Sequence, residues 1–318
     1  MGGGREATFE TRCKLFHDLP EATGQMRRSQ QVTAKLMAAL DKILSDNNLE
    51  YWFGYGSLLD AYTRGGYIPW DDDVDICMHR DDFDKLLELL GNNSKYRITT
   101  VYDSYVLCIQ YRFCLRDENV PSFIDIGVWD YATEYTLEKD KRLQEIRVEL
   151  MDELSDMLNN GELPYWKHQM LFFQPGCGKI VSEQCLHPED EDEDKANTEG
   201  QKILNVFNKY IQKAIDEEIL LPTSASDKAK SYAYSLDNLL MPGRQMLFPK
   251  GMIHPTIRLP YENLTVECPN DSKAFLDTCY SDWPLIPDDD SLLARRHFDK
   301  AILDRPEVKE AIEKFLNS

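Results

Sequence analysis

The sequence predicts an α+β protein: a mixed β-sheet core flanked by helices over residues 29–135, then a mainly helical region over 136–318. Three observations predict it. Short apolar or alternating runs, each closed by Gly or polar residues, recur between Tyr51 and Val128. Segments with apolar residues at three- and four-residue steps lie among them. Beyond residue 135 the helical period takes over.

In chain order, residues 1–28 are polar and irregular and read as a poorly packed arm. From Ser29 to Asn47, Val32, Leu36, Ala39, Leu40, Ile43 and Leu44 recur at helical spacing. Tyr51-Trp52-Phe53, closed by Gly54, suits a buried strand. Ser57–Thr63 reads as a short helix broken by Gly65-Gly66, Val74–Met78 as a strand, and Asp81–Leu90 as a helix ended by Gly91. Tyr96–Val101, Tyr105–Leu115 and Phe123–Val128 are three further strands. Leu143, Ile146, Leu150, Leu154 and Met157 mark a long amphipathic helix over 137–158. The acidic run 189–194 reads as a solvated loop, because blocks of like charge repel and stay extended. A helix follows over 200–219. Short strands near 256–267 and helices near 272–280 and 306–317 complete the chain.

Composition narrows the function. At 42% hydrophobic and 11% aromatic residues, the chain can build an ordinary core. Its 56 acidic against 36 basic side chains give a net charge of -20, which argues against nucleic-acid partners, since Lys and Arg must displace counterions from phosphates. No run approaches the roughly 18–20 apolar residues of a membrane span. The N-terminus lacks the apolar core of a secretory signal. Eight cysteines, with no CxxC pair, read as reduced thiols of a cytoplasmic protein.

The most informative stretch is 51–78, YWFGYGSLLDAYTRGGYIPWDDDVDICM. Crowded carboxylates repel one another unless something cationic sits among them. In an extended strand Asp73 and Asp75 point to the same side, about 6–7 Å apart along the chain, close enough to bridge hard divalent cations. Gly56-Ser57, sixteen positions ahead of Asp73, stands where a strand meets a helix N-terminus and offers donors to a phosphate. Asp125 stands alone in the apolar run FIDI, where an unpaired charge is costly. It reads as a third metal ligand or a base, or else as a satisfied position on an edge strand. Trp52, Tyr55, Tyr67 and Trp70 flank the motif, available to stack on a base or enclose a quaternary ammonium, with core packing the role read for Trp52. His79 and His254 read as ordinary surface or loop histidines.

Gly-Ser, then Asp-Val-Asp-Ile, then a lone Asp on a later strand resembles the nucleotidyltransferase superfamily. Within it, GSLLDAYTRGGYIPWDDDVDI resembles the signature of the LicD family, which includes phosphocholine transferases and fukutin-related proteins. FIDI at 123–126, LFPKGMIHPTIRLPYENLTVECP at 247–269 and YSDWPLIP at 280–287 extend the resemblance over about residues 30–290. The chain departs from the family pattern at Asp60, where a Gly is usual, at Thr63, which takes the usual Arg position with Arg64 one step later, and at Ser281, where Gly is preferred.

The resemblance implies a nucleotidyltransferase-like core, 29–135, whose cleft is completed by 136–318. It implies two Mg²⁺ or Mn²⁺ ions held by Asp73, Asp75 and Asp125, a diphosphate held by Gly56 and Ser57 and neutralised by Arg64, and Trp70, Glu262 and Asp282 lining the substrate side. The implied reaction moves a phospho-alcohol, phosphocholine-like, from a CDP-linked donor to a glycan hydroxyl, with choline, glycerol and ribitol open as the alcohol. Nucleotidyl transfer to a small molecule with release of pyrophosphate, and a non-catalytic glycan-binding relative, are the alternatives.

Overall fold

The structure is a computed structural model that describes residues 8–164, 166, 170–173, 193–239, 244–280, 283 and 300–318. The fold is α+β. Its first elements are α1 (Phe9–His17), α2 (Gly24–Asp46), β1 (Trp52–Phe53), α3 (Tyr55–Arg64), β2 (Asp75–His79) and α4 (Arg80–Gly91). Then come β3 (Tyr96–Asp103), β4 (Cys108–Leu115), β5 (Phe123–Ala132) and α5 (Leu137–Asn159). Next are β6 (Met170–Phe173), α6 (Glu193–Asp216), β7 (Ser231–Tyr234), β8 (Leu247–Pro249) and α7 (Lys250–Ile253). Last come β9 (Ile257–Tyr261), β10 (Leu264–Cys268), α8 (Ser272–Cys279), α9 (Lys300–Leu303) and α10 (Pro306–Leu316).

One eight-stranded sheet runs β1-β2-β5-β4-β3-β6, with β7 and β8 joined through β5. Among the described residues, only the β2–β5 pair within it is parallel. β5 is long enough to serve two neighbours on one edge: residues 123–126 pair with β4 and residues 129–132 with β7. Its other edge pairs with β2. Helix α2 lays Val32, Leu36, Met37, Leu40 and Leu44 into the core, the spacing of one helical face, and α5 buries Leu143, Ile146, Leu150 and Leu154 in the same way.

Three differences from the sequence reading have physical reasons. The arm expected to be irregular is helical over Phe9–His17, capped by the Thr8 hydroxyl, which accepts from Thr11 N–H, and pinned by Phe16; α2 starts at Gly24, five residues before Ser29. Glu193 and Asp194, read as the end of a solvated loop, open α6, where the helix dipole favours acidic residues; residues 189–192 lie outside the described residues. The region after 136 also supplies strands β6, β7 and β8 to the main sheet, so the sheet does not end at residue 135. No helix among the described residues is long and apolar enough to cross a membrane.

Candidate active site

The parallel ladder of β2 and β5 sets Asp75 beside Asp125 as direct Cα partners. Asp73 lies two residues before Asp75, on the loop leading into β2. One carboxylate oxygen from each of Asp73, Asp75 and Asp125 falls within 4.8 Å of the other two. Asp71, Asp72 and Asp73 form an overlapping group of the same kind. The local backbone is heavily tied down. The Ser57 hydroxyl accepts from Asp75 N–H at 2.7 Å, and Gly54 N–H donates to the Asp75 carbonyl at 3.2 Å. Asp125 N–H donates to the Val74 carbonyl at 2.9 Å. From α2, the Gln30 side-chain amide donates to the carbonyls of Asp71 (2.8 Å) and Ile68 (3.3 Å), which fixes the acidic loop against the helix.

These carboxylates open into a cavity of about 530 Å³. Tyr55, Gly56, Trp70, Tyr111, Tyr234, Asn238 and Tyr280 share its lining with Asp71, Asp73, Asp75 and Asp125. A larger open groove of about 800 Å³ between α5 and α6 is lined by Glu149, Asp152, Glu153, Lys202 and Lys209 and brings no such convergence. Gly56 admits the acidic loop: a Cβ there would stand 3.2 Å from Asp71 Oδ2. Tyr55 takes a left-handed φ of 45°, a conformation costly for a side-chain-bearing residue and common at functional sites. Burial, then the negative charges of Asp73 and Asp60, push the Asp71 carboxyl well above its ordinary 3.8. A dication among these oxygens would remove that penalty, so the donor set fits a hard divalent metal. Arg112, opposite Asp125 in the β4–β5 register, donates from Nε to Asp125 Oδ1 at 3.2 Å and lies over the Phe123 ring.

The other residues expected at the site divide between the cavity and the scaffold around it. Gly56 and Trp70 line the cavity. Ser57 is buried and holds β2 in place. Arg64 donates to the Phe16 carbonyl and anchors α1. Glu262 forms a two-pronged ion pair with Arg27 (3.0 and 2.8 Å) and accepts from Tyr67 N–H, so it fastens the β9–β10 turn to the chain entering the acidic loop. Asp282 lies outside the described residues. Asp60, the departure from the family's Gly, is buried and accepts from Ile68 N–H at 3.1 Å, and burial drives its carboxyl well above the ordinary range. Thr63 donates to the Leu59 carbonyl one helical turn back. Tyr111, Tyr234, Asn238, Tyr280 and Arg112 escaped sequence reasoning. They reach the site through strand register and chain return, and only a pairing of β4 with β5 could have pointed to Arg112.

A mixed sheet that presents an Asp-x-Asp pair and a third Asp from the neighbouring parallel strand, beneath a Gly-Ser helix start, defines a nucleotidyltransferase-type domain. Residues 48–144 match the family described as LicD/FKTN/FKRP, nucleotidyltransferase domain, and the chain carries a domain of that LicD family. The lipopolysaccharide cholinephosphotransferase LicD of Haemophilus influenzae is 31% identical over 64 residues, 20% of this chain and 24% of that protein. An uncharacterized protein of Rickettsia prowazekii is 35% identical over 75 residues, 23% and 28% of the two chains. An uncharacterized protein of Rickettsia typhi is 29% identical over 156 residues, 44% and 48%. The chain thus spans between about a quarter and about half the length of these relatives.

Proposed function

We propose that the chain is a Mg²⁺-dependent phosphotransferase that moves a phospho-alcohol group of the phosphocholine type from a CDP-linked donor to a hydroxyl of a glycan or its precursor. The observation that carries this reading is the meeting of Asp73, Asp75 and Asp125 within 4.8 Å in a cavity ringed by tyrosines and Trp70. An anionic diphosphate cannot approach such a cluster without cations between. Asp73, Asp75 and Asp125 would hold Mg²⁺ or Mn²⁺, two ions in this reading. Bound there, the metal supplies the positive charge that lets negative charge build on the phosphoryl and leaving oxygens.

The chain's own groups do the rest. Gly56 lets the donor's phosphates come close to the start of α3, where backbone N–H groups point outward. Tyr55, Trp70, Tyr234 and Tyr280 give π-faces that suit a quaternary ammonium or a nucleobase. Arg112 fixes the orientation of Asp125, and Asp125, at the cavity wall, accepts the proton of the attacking hydroxyl. The six described cysteines are free thiols, in keeping with a cytoplasmic site of action.

The test is incubation with Mg²⁺ and either a CDP-alcohol (choline, glycerol or ribitol) plus a sugar acceptor or a nucleoside triphosphate. Release of CMP that depends on Mg²⁺ and on Asp73 supports the proposal. Pyrophosphate from the triphosphate instead identifies nucleotidyl transfer. Release of neither with any donor overturns both.

A further inference from the structure

The far end of β2 holds a second cluster of ligand-bearing side chains. β1 and β2 pair with Trp52 opposite Cys77 and Phe53 opposite Ile76. Carried outward, that register sets Glu50 opposite His79. His254, directly after α7, comes in from the C-terminal part of the chain. One ligand atom from each of Glu50, His79 and His254 lies within 4.8 Å of the other two. We propose that these three residues form a binding site for a transition-metal dication of the zinc class, separate from the aspartate cavity and clamping the β1–β2 ladder to α7.

Geometry and chemistry both favour that class. His79 Nε2 and His254 Nε2 stand 3.2 Å apart. Two nitrogens bound at about 2.0–2.1 Å to a tetrahedral Zn²⁺ are separated by about 3.3–3.4 Å, so the pair is already set. Two imidazoles and one carboxylate are the donor set of an open zinc site, whereas the all-oxygen aspartate cluster suits Mg²⁺. His79 departs from the surface role read from sequence. It is 2% exposed, packed against Trp52, Tyr131 and Tyr232, and its Nδ1 has no hydrogen-bond partner among the described residues. The Nε2 edge of this buried ring meets another imidazole nitrogen and not an oxygen acceptor, an arrangement in which a metal held between the two nitrogens would use both lone pairs. Around Glu50 the carboxylates of Asp81, Asp82 and Glu267 face the ammonium groups of Lys250 and Lys85. Arg258, 3.3 Å from Glu267, adds a third base, so with Glu50 four acids stand against three bases and leave an excess of negative charge that a dication more than offsets. Glu50 is exposed, which leaves a path for entry. Along β2, from Asp75 to His79, four residues at about 3.3 Å each separate the two sites by about 13 Å.

The test uses the full chain stripped with a chelator, in wild-type form and as Glu50→Gln, His254→Gln and Asp73→Asn. Zn²⁺ at a hundredfold excess over its Kd is expected to raise Tm by about 4 °C or more. Co²⁺ should give the intense visible absorption of a four-coordinate nitrogen–oxygen site. Both signals should persist in Asp73→Asn. They should weaken by at least about 100-fold in apparent affinity in Glu50→Gln and His254→Gln, since losing even an outer partner of a ligand costs 10–100-fold. Glu50 is on the surface, so its variant folds and decides the matter even if His254→Gln does not. The proposal falls if Zn²⁺ leaves Tm unchanged, if the shift survives Glu50→Gln, or if Co²⁺ shows a thiolate charge-transfer band. A wild-type Nε2–Nε2 pair that only shares a hydrogen bond gives the first of these results.

Discussion

Asp75 and Asp125 are direct partners across the β2–β5 ladder, the one parallel pairing of the main sheet among the described residues. Neighbouring strands lie about 4.8 Å apart, so two carboxylates on the same face are forced together by backbone pairing and not by loop conformation. Asp73→Asn, Asp75→Asn and Asp125→Asn should each lower kcat by about 10³-fold or more while the far-ultraviolet circular dichroism spectrum stays unchanged. In chelator-treated protein, Asp73→Asn should also raise Tm, because it removes a like charge beside the buried Asp71. An Asp73→Asn protein with wild-type turnover would contradict the proposed metal role.

Ser57 acts on the same pair from beneath. Its hydroxyl receives the Asp75 N–H at 2.7 Å inside the fold. Ser57→Ala leaves that donor unmatched, at a cost of about 1–3 kcal/mol. Urea denaturation should show the loss, and turnover should fall with it because Asp75 loses its anchor. Ser57→Thr keeps the hydroxyl and should recover part of both.

Much of this was legible in the sequence because it is local. Apolar spacing gave α2 and α5, alternation and Gly boundaries gave β2 through β5, and the Asp-Val-Asp period placed two carboxylates on one face. What was not legible depends on pairing between distant segments. Nothing near Arg112 says that β4 will set it against Asp125, and nothing near Tyr234 or Tyr280 says that the returning chain will bring them to the cavity. Helix α1 buries only Phe16, so its apolar pattern was too thin to read. Glu262 illustrates the reverse case. It stands in a segment resembling the family and looked like a substrate ligand, yet tertiary structure gives its carboxylate to Arg27 and Tyr67 N–H.

Glu262→Gln therefore separates scaffold from site. The amide oxygen can still accept from Tyr67 N–H, but the charge-assisted pair with Arg27 is lost. Both partners are partly buried, at 15% and 23% side-chain exposure, and the expected loss is about 1–2 kcal/mol. Tm should drop, while KM and kcat measured on folded protein at low temperature should stay within about twofold, as expected for a residue outside the cavity. A large rise in KM would return Glu262 to the substrate side.

Acid stability should be governed in part by a different cluster. Burial alone would raise the Asp237 carboxyl. Arg80, whose guanidinium nitrogens stand 3.1 Å from both carboxylate oxygens, and donors from Ser235 and Tyr111 outweigh burial, and the pKa lies below its ordinary 3.8. The unfolded chain then binds the proton first as pH falls. Asp237 contributes stability that is complete well above pH 3.8 and is lost as the pH falls through the folded-state value. Asp237→Asn should cost about 3 kcal/mol at pH 7, the low end for a broken buried pair because Asp130 still holds Arg80. The variant's stability should also fall less steeply than wild type between pH 5 and pH 3, read from urea midpoints across that range as about one proton fewer taken up on unfolding.

Gly56 offers the finest probe of the cavity. A Cβ added there meets Asp71 Oδ2 at 3.2 Å, tighter than ordinary contact, so the acidic loop must give by a few tenths of an ångström. The position lies inside α3 with no positive φ, and Ala is a better helix former than Gly by about 0.5–1 kcal/mol. Stability and activity should therefore part company. Gly56→Ala is expected to hold or raise Tm, while shifting Asp71 and narrowing the approach for a phosphate, with a drop in kcat/KM of about tenfold, equivalent to 1.4 kcal/mol of transition-state stabilisation. Equal activity in the two proteins would mean that the donor does not pass along the start of α3, and the anion site would have to be sought on the Tyr280 side of the cavity instead.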